Sequence, residues 1–296
     1  MGSYSPSAQK LVDRMVAAAA ADPARAMAYQ GAPGANSDIA VRENDPAALP
    51  LPCYSFEDAI DAVQSGAAAR AMIPIENSLH GRVADIHFLL PESGLHIVGE
   101  HFLRIRFALM SRNFAPPARA MSHAQALGQC RRWLRVNGID PLAYSDTAGA
   151  AALVADSDEA GLAAIAPPLA AQLYGLTVPA DGIEDAEHNM TRFVVLARDA
   201  APLVVEAGTM MTTLVFEVKN VPAALYKAMG GFATNGVNMT KLESYQTGGS
   251  FAATTFYTDI EGAPGDAGVD RALDELRFHC NSVRLLGSYA QARKRG

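Results

Sequence analysis

The residues best suited to chemistry stand where polar runs meet short apolar ones. Glu187-His188-Asn189-Met190-Thr191-Arg192 gives way to Phe193-Val194-Val195-Leu196-Ala197. The β-branched, apolar run predicts a buried strand with Thr191 and Arg192 at its leading end, a rigid place for a hydroxyl. Taken alone, the stretch reads more readily as Asn189 and Thr191 capping and turning the chain before a core strand. A second polar strand end follows Ala69 to Ile75, where Glu76-Asn77-Ser78 precede Gly81 and a helix from Arg82 to Leu90 stopped by Pro91. Asn77 carries both donor and acceptor groups and could orient a substrate carboxylate or hydroxyl, although an Asx-turn before a helix is the plainer reading.

Three more such places recur along the chain. Ala26 to Tyr29 predicts a first strand, then a loop with Gly31, Pro33 and Gly34, then a helix capped by Asn36 or Ser37. The free N–H groups of that helix start would attract an anion, though a glycine-rich strand-to-helix loop is commonplace. Ala118 to Met121 leads into Ser122-His123 and a helix with Leu127, Cys130 and Leu134 on its core stripe, from which Gln129 falls away. A short strand through Tyr144 meets Asp146-Thr147, which cap an alanine-rich helix; Ala163 to Ala166 predicts a strand and Pro168 to Tyr174 a helix.

Composition narrows the partners. Half of the 296 residues are apolar and 19% are charged, enough for two modest cores. A net charge of −7 and a pI near 5.5 argue against a nucleic-acid or anionic-membrane surface and favour small molecules. Cys53, Cys130 and Cys280 are odd in number and far apart, which predicts buried thiols in a reducing cytoplasm rather than a disulfide framework. The seven histidines lack metal-ligand spacing, so chemistry without metal or cofactor is expected. No apolar run approaches the roughly 18 residues of a spanning helix. Leu11, Met15 and Ala18 predict one face of an appended N-terminal helix.

These positions need elements to hold them. Ser55 and Asp58 predict a capped helix with Phe56, Ile60 and Val63 on one face, and His101 to Met110 predicts one half-buried strand with Arg104 and Arg106 outward. Strands alternate with helices throughout, an α/β architecture whose polar strand ends gather on one side, where open sheets bind ligands. After Pro202 the rhythm restarts. Thr213 to Val218 predicts a strand, Asn220 and Pro222 mark a helix with Leu225, Met229 and Phe232 inward, and Val237 to Tyr245 turns at Gly248-Gly249 into Phe251 to Thr258. A helix from Asp266 and a strand at Val283 to Tyr289 complete β-α-β-β-α-β, a ferredoxin-like order.

Tyr29-Gln30-Gly31-Ala32-Pro33-Gly34, Pro74-Ile75-Glu76-Asn77-Ser78, Ser122-His123 with Gln129-Cys130, and Asn189-Met190-Thr191-Arg192-Phe193 resemble, in order and spacing, the prephenate dehydratase family. The resemblance implies a domain over residues 25–205 of two periplasmic-binding-protein-like lobes (type II) with the site in the cleft, after an N-terminal extension over 1–24. Residues 206–296 resemble an ACT domain, the amino-acid-sensing module. Val221-Pro222-Ala223-Ala224-Leu225 stands in place of the Gly-Ala-Leu-Val effector motif. Glu243-Ser244-Tyr245-Gln246 stands in place of Glu-Ser-Arg-Pro, keeping Glu243 and Ser244 only.

The resemblance implies conversion of prephenate to phenylpyruvate, with Thr191 as donor to the leaving hydroxyl and Asn77, Ser122, Gln129 and Asp146 around the site. For Asp146 a capping role is equally open. Ser37 and the amides near Gly34 would bind a substrate carboxylate, with Glu76, Ser78 and Phe193 nearby and Arg192 in a structural pairing. His123 and His188 would be supporting groups. L-Phenylalanine would act as allosteric effector, bound between modules of neighbouring subunits in a homodimer or homotetramer. Arogenate is the alternative substrate, and a noncatalytic amino-acid-binding regulator the alternative of another class.

Overall fold

The computed structural model describes residues 4–112, 115–202, 209–246 and 253–294. In chain order, the elements begin with α1 (Pro6–Ala21), β1 (Ala26–Gln30), α2 (Asn36–Asn44), β2 (Leu49–Cys53), α3 (Phe56–Gln64), β3 (Arg70–Asn77), β4 (Gly81–Arg82), α4 (Ala84–Glu92) and β5 (His96–Arg104). They continue with β6 (Ala108–Ser111), β7 (Arg119–His123), α5 (Ala124–Gln129), α6 (Arg131–Val136), β8 (Asp140–Tyr144), α7 (Thr147–Asp156), β9 (Leu162–Ala166), α8 (Pro168–Tyr174), β10 (Thr177–Asp181) and β11 (Met190–Ala197). The last are β12 (Met210–Val218), α9 (Ala224–Thr234), β13 (Met239–Gln246), β14 (Ala253–Glu261), α10 (Ala267–His279) and β15 (Cys280–Ala290).

The described residues form three sheets. The first has the order β2-β1-β3-β11-β5 with β4 folded back on β3, the second β10-β6-β9-β7-β8, and the third β13-β14-β12-β15. Parallel pairing of β1 with β2 and β3, and of β7 with β8 and β9, sends the loops after β1, β3, β7 and β8 out from strand carboxyl ends. Those loops carry Gly34, Ser78 and Asp146, while Asn77 ends β3 and Ser122 is the last residue but one of β7. This is the two-lobed α/β architecture expected, one sheet to a lobe. The third sheet is antiparallel throughout, and its order is that of a ferredoxin-like βαββαβ unit.

The chain divides into two compact units, Met1–Val83 with His101–Phe193, and Ala84–Glu100 with Val194–Gly296. In the first, α7 is buried along Ala148, Ala150, Ala151 and Val154 and packs with Met110, Met121 and Ala164. Small residues let a helix lie close to a sheet, and dispersion contacts replace side-chain bulk. In the second, α9 and α10 cover one face of the third sheet with Leu214, Phe216, Phe232, Leu273 and Leu276. Phe216 and Phe256 stack with centroids 5.3 Å apart. Burying each such side chain contributes roughly 1.5–3 kcal/mol. In the same unit, α4 sets His87 and Phe88 against Tyr245, and His87 edge-on to Tyr257 at 4.7 Å.

Several local expectations are corrected. The buried face of α1 is Ala8, Val12 and Ala19, whereas Leu11 and Met15 are half-buried and Ala18 is exposed. Small alanines seat this helix, and they carry little hydrophobic signal. Neither Asn36 nor Ser37 caps α2; Ala35 is the N-cap, and Asp38 bonds back to the Gly34 amide at 2.9 Å. Pro91 lies inside α4, whose last residue is Glu92. His101 to Met110 is not one strand: β5 ends at Arg104 and β6 starts at Ala108 in another sheet. Between them, the Ile105 amide donates to Asn189 O at 2.9 Å and the Phe107 amide to Glu184 Oε2 at 3.0 Å, so an extended connector keeps the alternation. Helix α9 starts at Ala224, after Ala223 in the left-handed region at φ 61°. The Ser55–Asp58 capping box forms as expected. The Gly248-Gly249 turn and the residues around 205 and 206 lie outside the described residues.

Candidate active site

Two neighbouring strands of the first sheet, β3 and β11, build the centre of the site. Asn77 ends β3 and Thr191 is the second residue of β11, so a carboxamide and a hydroxyl 114 residues apart in sequence come within bonding distance. Asn77 Nδ2 gives its two protons to Asn189 Oδ1 at 2.7 Å and Thr191 Oγ1 at 3.0 Å, with Met190 O sharing one of them at 3.2 Å. Its Oδ1 accepts from the Leu79 and His80 amides at 3.0 and 3.1 Å. Asn77 therefore closes an Asx-type turn with one end and aims its donors at Thr191 and Asn189 with the other. Thr191 is 9% exposed and Asn189 1%.

Gln129, at the end of α5, joins from the second lobe. Asn189 Nδ2 donates to Gln129 Oε1 at 2.7 Å, and Gln129 Nε2 lies 3.2 Å from His80 Nδ1. A pocket of about 300 Å³ opens here, lined by His80, Gln129, Glu184, Asp185 and Asn189. Ser78 holds the neighbouring strand entry: its Oγ accepts from the Met190 amide at 3.0 Å and donates to His188 O at 3.3 Å.

The buried Arg192, 2% exposed, donates from its NH1 nitrogen to Glu76 Oε1 at 2.9 Å, and Phe193 beside it in the strand is buried as well. Glu76 and Arg192 thus engage each other across β3 and β11. Ser122 is fully buried, and its hydroxyl donates to Ile165 O at 2.5 Å. Asp146 caps α7 by accepting from the Gly149 amide at 2.6 Å, and lines another pocket, of about 120 Å³, with Gln30, Gly31, Tyr54 and Tyr144. Burial pushes its carboxyl above the usual carboxylate range, while that amide pulls it back. Ser37 is buried in the first turn of α2, and the Gly34 amide is engaged by Asp38.

The structure thus brings Asn77, Thr191, Gln129 and Ser78 together, with Glu76 and Arg192 alongside. Ser122, Asp146 and Gly34 have partners elsewhere in the same unit, where Ser37 is also buried. Two residues of the cluster are not marked by the sequence pattern: Asn189, which reads as a turn residue, and His80. The spacing of Asn189 and Thr191, two apart at a strand entry and so on one face, is the signal that could have found the first. His123 caps α5 by accepting from the Gln125 amide at 3.3 Å. The three cysteines are buried free thiols, and burial pushes Cys53 up to about 12 and Cys280 up to about 11.

The family profile described as Prephenate dehydratase matches residues 27–201, a span that holds every member of this cluster. The chain belongs to the prephenate dehydratase family. Among its relatives, a Komagataeibacter europaeus protein named bifunctional N-acyl-homoserine lactone acylase/prephenate dehydratase is 48% identical over 90% of this chain and 95% of its own. Arogenate dehydratase/prephenate dehydratase 2 of Arabidopsis thaliana is 37% identical over 89% of this chain and 72% of its own. The solved structure of prephenate dehydratase from Arthrobacter aurescens, in complex with L-Phe, superposes with a TM-score of 0.83 at 33% identity, covering 91% of each chain.

Proposed function

We propose that this family member converts prephenate to phenylpyruvate, carbon dioxide and water, with Thr191 as donor to the leaving ring hydroxyl. One observation carries the assignment of Thr191. Asn77 donates to Thr191 Oγ1, so the threonine's own proton is not engaged by Asn77 and is left for the substrate. As the bond from the ring to its carboxylate breaks, the electron pair enters the ring, the ring C–O bond opens opposite, and the departing oxygen takes a proton to leave as water. Aromatisation drives both cleavages. Acid assistance of this kind contributes around 10²–10⁴-fold. Gln129 and Asn189 hold Asn77, and Ser78 and the Glu76–Arg192 pair hold the strand entries. Asp146, Ser122, Ser37 and Gly34 form or support the walls.

Purified protein is mixed with prephenate and phenylpyruvate is followed, with Thr191→Ala and Thr191→Ser beside the wild type. A large loss in the alanine variant and a partial return in the serine variant support the role; equal rates in all three refute it. Arogenate, which would give phenylalanine by the same bond changes, is run in parallel, because a 37% identical relative carries both substrate names.

Residues 206–296 are proposed as the ACT module, with L-phenylalanine as inhibitor held by Val221 to Leu225 and by Glu243 and Ser244. Support comes from the βαββαβ order and from the L-Phe complex of a 33% identical relative. Glu243→Ala should keep turnover and lose inhibition; unchanged inhibition counts against that residue. The proposed assembly is a homodimer or homotetramer, which would cover exposed apolar groups such as Tyr226 and Phe278; sedimentation of the intact chain checks it. No described helix is long and apolar enough to cross a membrane. The buried free thiols suit the cytoplasm proposed as its location.

A second activity has one observation in its favour: the 48% identical relative is also named an N-acyl-homoserine lactone acylase. Incubation with N-octanoyl-homoserine lactone tests it by release of octanoate. No release under conditions that turn prephenate over fully rejects it.

A further inference from the structure

Four side chains close a ring beside Thr191. Asn77 Nδ2 donates to Asn189 Oδ1 at 2.7 Å, Asn189 Nδ2 to Gln129 Oε1 at 2.7 Å, and Gln129 Nε2 then faces His80 Nδ1 at 3.2 Å, while that nitrogen lies 3.1 Å from Asn77 Oδ1. Every amide orientation is set by its partners. Each of Asn77, Asn189 and Gln129 turns its nitrogen to the next member, so donation runs one way around the ring. Only the imidazole has a choice, because Nδ1 either accepts from Gln129 or donates to Asn77.

The partners of Asn77 decide it. Asn77 Oδ1 already accepts the Leu79 and His80 amides, which engage both of its lone pairs. A third donor there would compete with the turn that holds Asn77, and a proton on Nδ1 would confront the N–H of Gln129. With its lone pair on Nδ1, His80 instead gives Gln129 an acceptor and completes the circuit. The ring fixes the Asn77 carboxamide, and that carboxamide orients Thr191.

We propose that His80 is a positioning residue of the dehydratase site, neutral and protonated on Nε2, whose Nδ1 accepts from Gln129 and so locks Asn77 onto Thr191. It touches none of the reacting bonds and acts through Gln129 and Asn77. Cooperative chains of this kind hold a donor better than separate bonds do, and misplacing a catalytic group by even an ångström lowers turnover. The inference rests on the reading of Thr191 as donor, but it also makes a claim about one proton that needs no substrate.

Two measurements test it on the full-length chain. First, nitrogen-15 correlation spectra of histidine-labelled protein, with the His80 signals identified by their loss in His80→Asn, report the tautomer. A neutral ring protonated on Nε2 is expected, and a proton on Nδ1 overturns the proposal whether or not prephenate is turned over. Second, kcat and KM for prephenate are compared in His80→Ala and His80→Asn, with melting temperatures as controls. Alanine should lower kcat about tenfold with little change in KM, the size expected for one lost orienting hydrogen bond. Asparagine, whose Oδ1 can accept from Gln129, should return most of that loss. An alanine variant with wild-type kcat, or an asparagine variant as slow as alanine, overturns the positioning role. No turnover of prephenate or arogenate by the wild type refutes the dehydratase reading alone, and the tautomer measurement still decides the other.

Discussion

Asn77→Asp is the sharpest probe of the site because it changes one atom's hydrogen-bonding sense and almost no volume. In the wild type, Nδ2 faces three acceptors: Asn189 Oδ1 at 2.7 Å, Thr191 Oγ1 at 3.0 Å and Met190 O at 3.2 Å. A carboxylate oxygen in that place meets three oxygens, of which only Thr191 can supply a proton. The bond reverses, Thr191 donates to the new carboxylate, and its proton is withdrawn from the substrate. The bonds to Asn189, which is buried, and to Met190 are lost, destabilising the fold by about 1–3 kcal/mol. Loss of the acid lowers kcat by around 10²–10⁴-fold, or about 3–5 kcal/mol of barrier. In Asn77→Ala the threonine proton stays free and only its orientation suffers, so kcat falls by roughly tenfold.

The expected order is wild type, then alanine, then aspartate, although aspartate is nearer in shape to the native residue. Protonation of the new carboxyl gives it a donor again. Its neutral form is the active one, so Asn77→Asp should gain on the wild type as pH falls through its pKa and lose that gain as pH rises. Initial rates of phenylpyruvate formation at saturating prephenate, from mildly acidic to mildly alkaline pH, with melting curves for each variant, check both statements. Folded Asn77→Asp protein that matches the wild type at mildly alkaline pH, or outpaces Asn77→Ala there, refutes the direction assigned to this hydrogen bond.

Two further predictions concern backbone conformation. Gly34 has φ +90°, and a Cβ on it would come within 2.8 Å of the Ala170 backbone, so Gly34→Ala should lower stability by about 2–4 kcal/mol, read as a fall in the denaturation midpoint. Ala223 has φ 61°, where a Cβ is unfavourable, so Ala223→Gly should raise the melting temperature by relieving roughly 1 kcal/mol of strain; no rise would mean that its neighbours already accommodate the methyl.

What could be read along the chain was whatever is encoded locally. The apolar, β-branched run after Arg192 gives a strand because such side chains suit a pleated surface buried on both faces, and β11 is buried from Thr191 to Leu196. Period alone could not separate β5 from β6, since Leu103, Ile105, Phe107 and Leu109 stay buried while the chain passes from one sheet to the next. The buried face of α1 differs from the one its larger apolar residues predict because Ala8 and Ala19, which carry little hydrophobic bulk, are the residues buried. Motif resemblance placed Asn77, Gln129 and Thr191 in one site. The Asx turn that sets the hydrogen-bond directions of Asn77 is local, but the bonds that join Asn77 to Thr191 and His80 to Gln129 span 114 and 49 residues, which no local pattern records.

Those directions explain how a threonine can serve where proton donation is needed. In water its hydroxyl is a very poor acid, so its use requires that the proton be aimed and that no nearby acceptor compete for it. Placement at the second residue of a buried strand limits the movement of Thr191, and the neighbouring β3 brings a carboxamide to its oxygen as donor rather than acceptor. The carboxamide cannot rotate to the opposite sense without leaving the Leu79 and His80 amides unpaired at its other end and Asn189 Oδ1 without a donor in the buried centre. The buried Asn189 Oδ1 left unpaired would cost about 1–3 kcal/mol, and losing the two bonds in the exposed turn about 0.5–1.5 kcal/mol each. Several such penalties together exceed what one reversed hydrogen bond to Thr191 could return, so the turn after β3, far from the reacting bonds, sets which way the catalytic proton points.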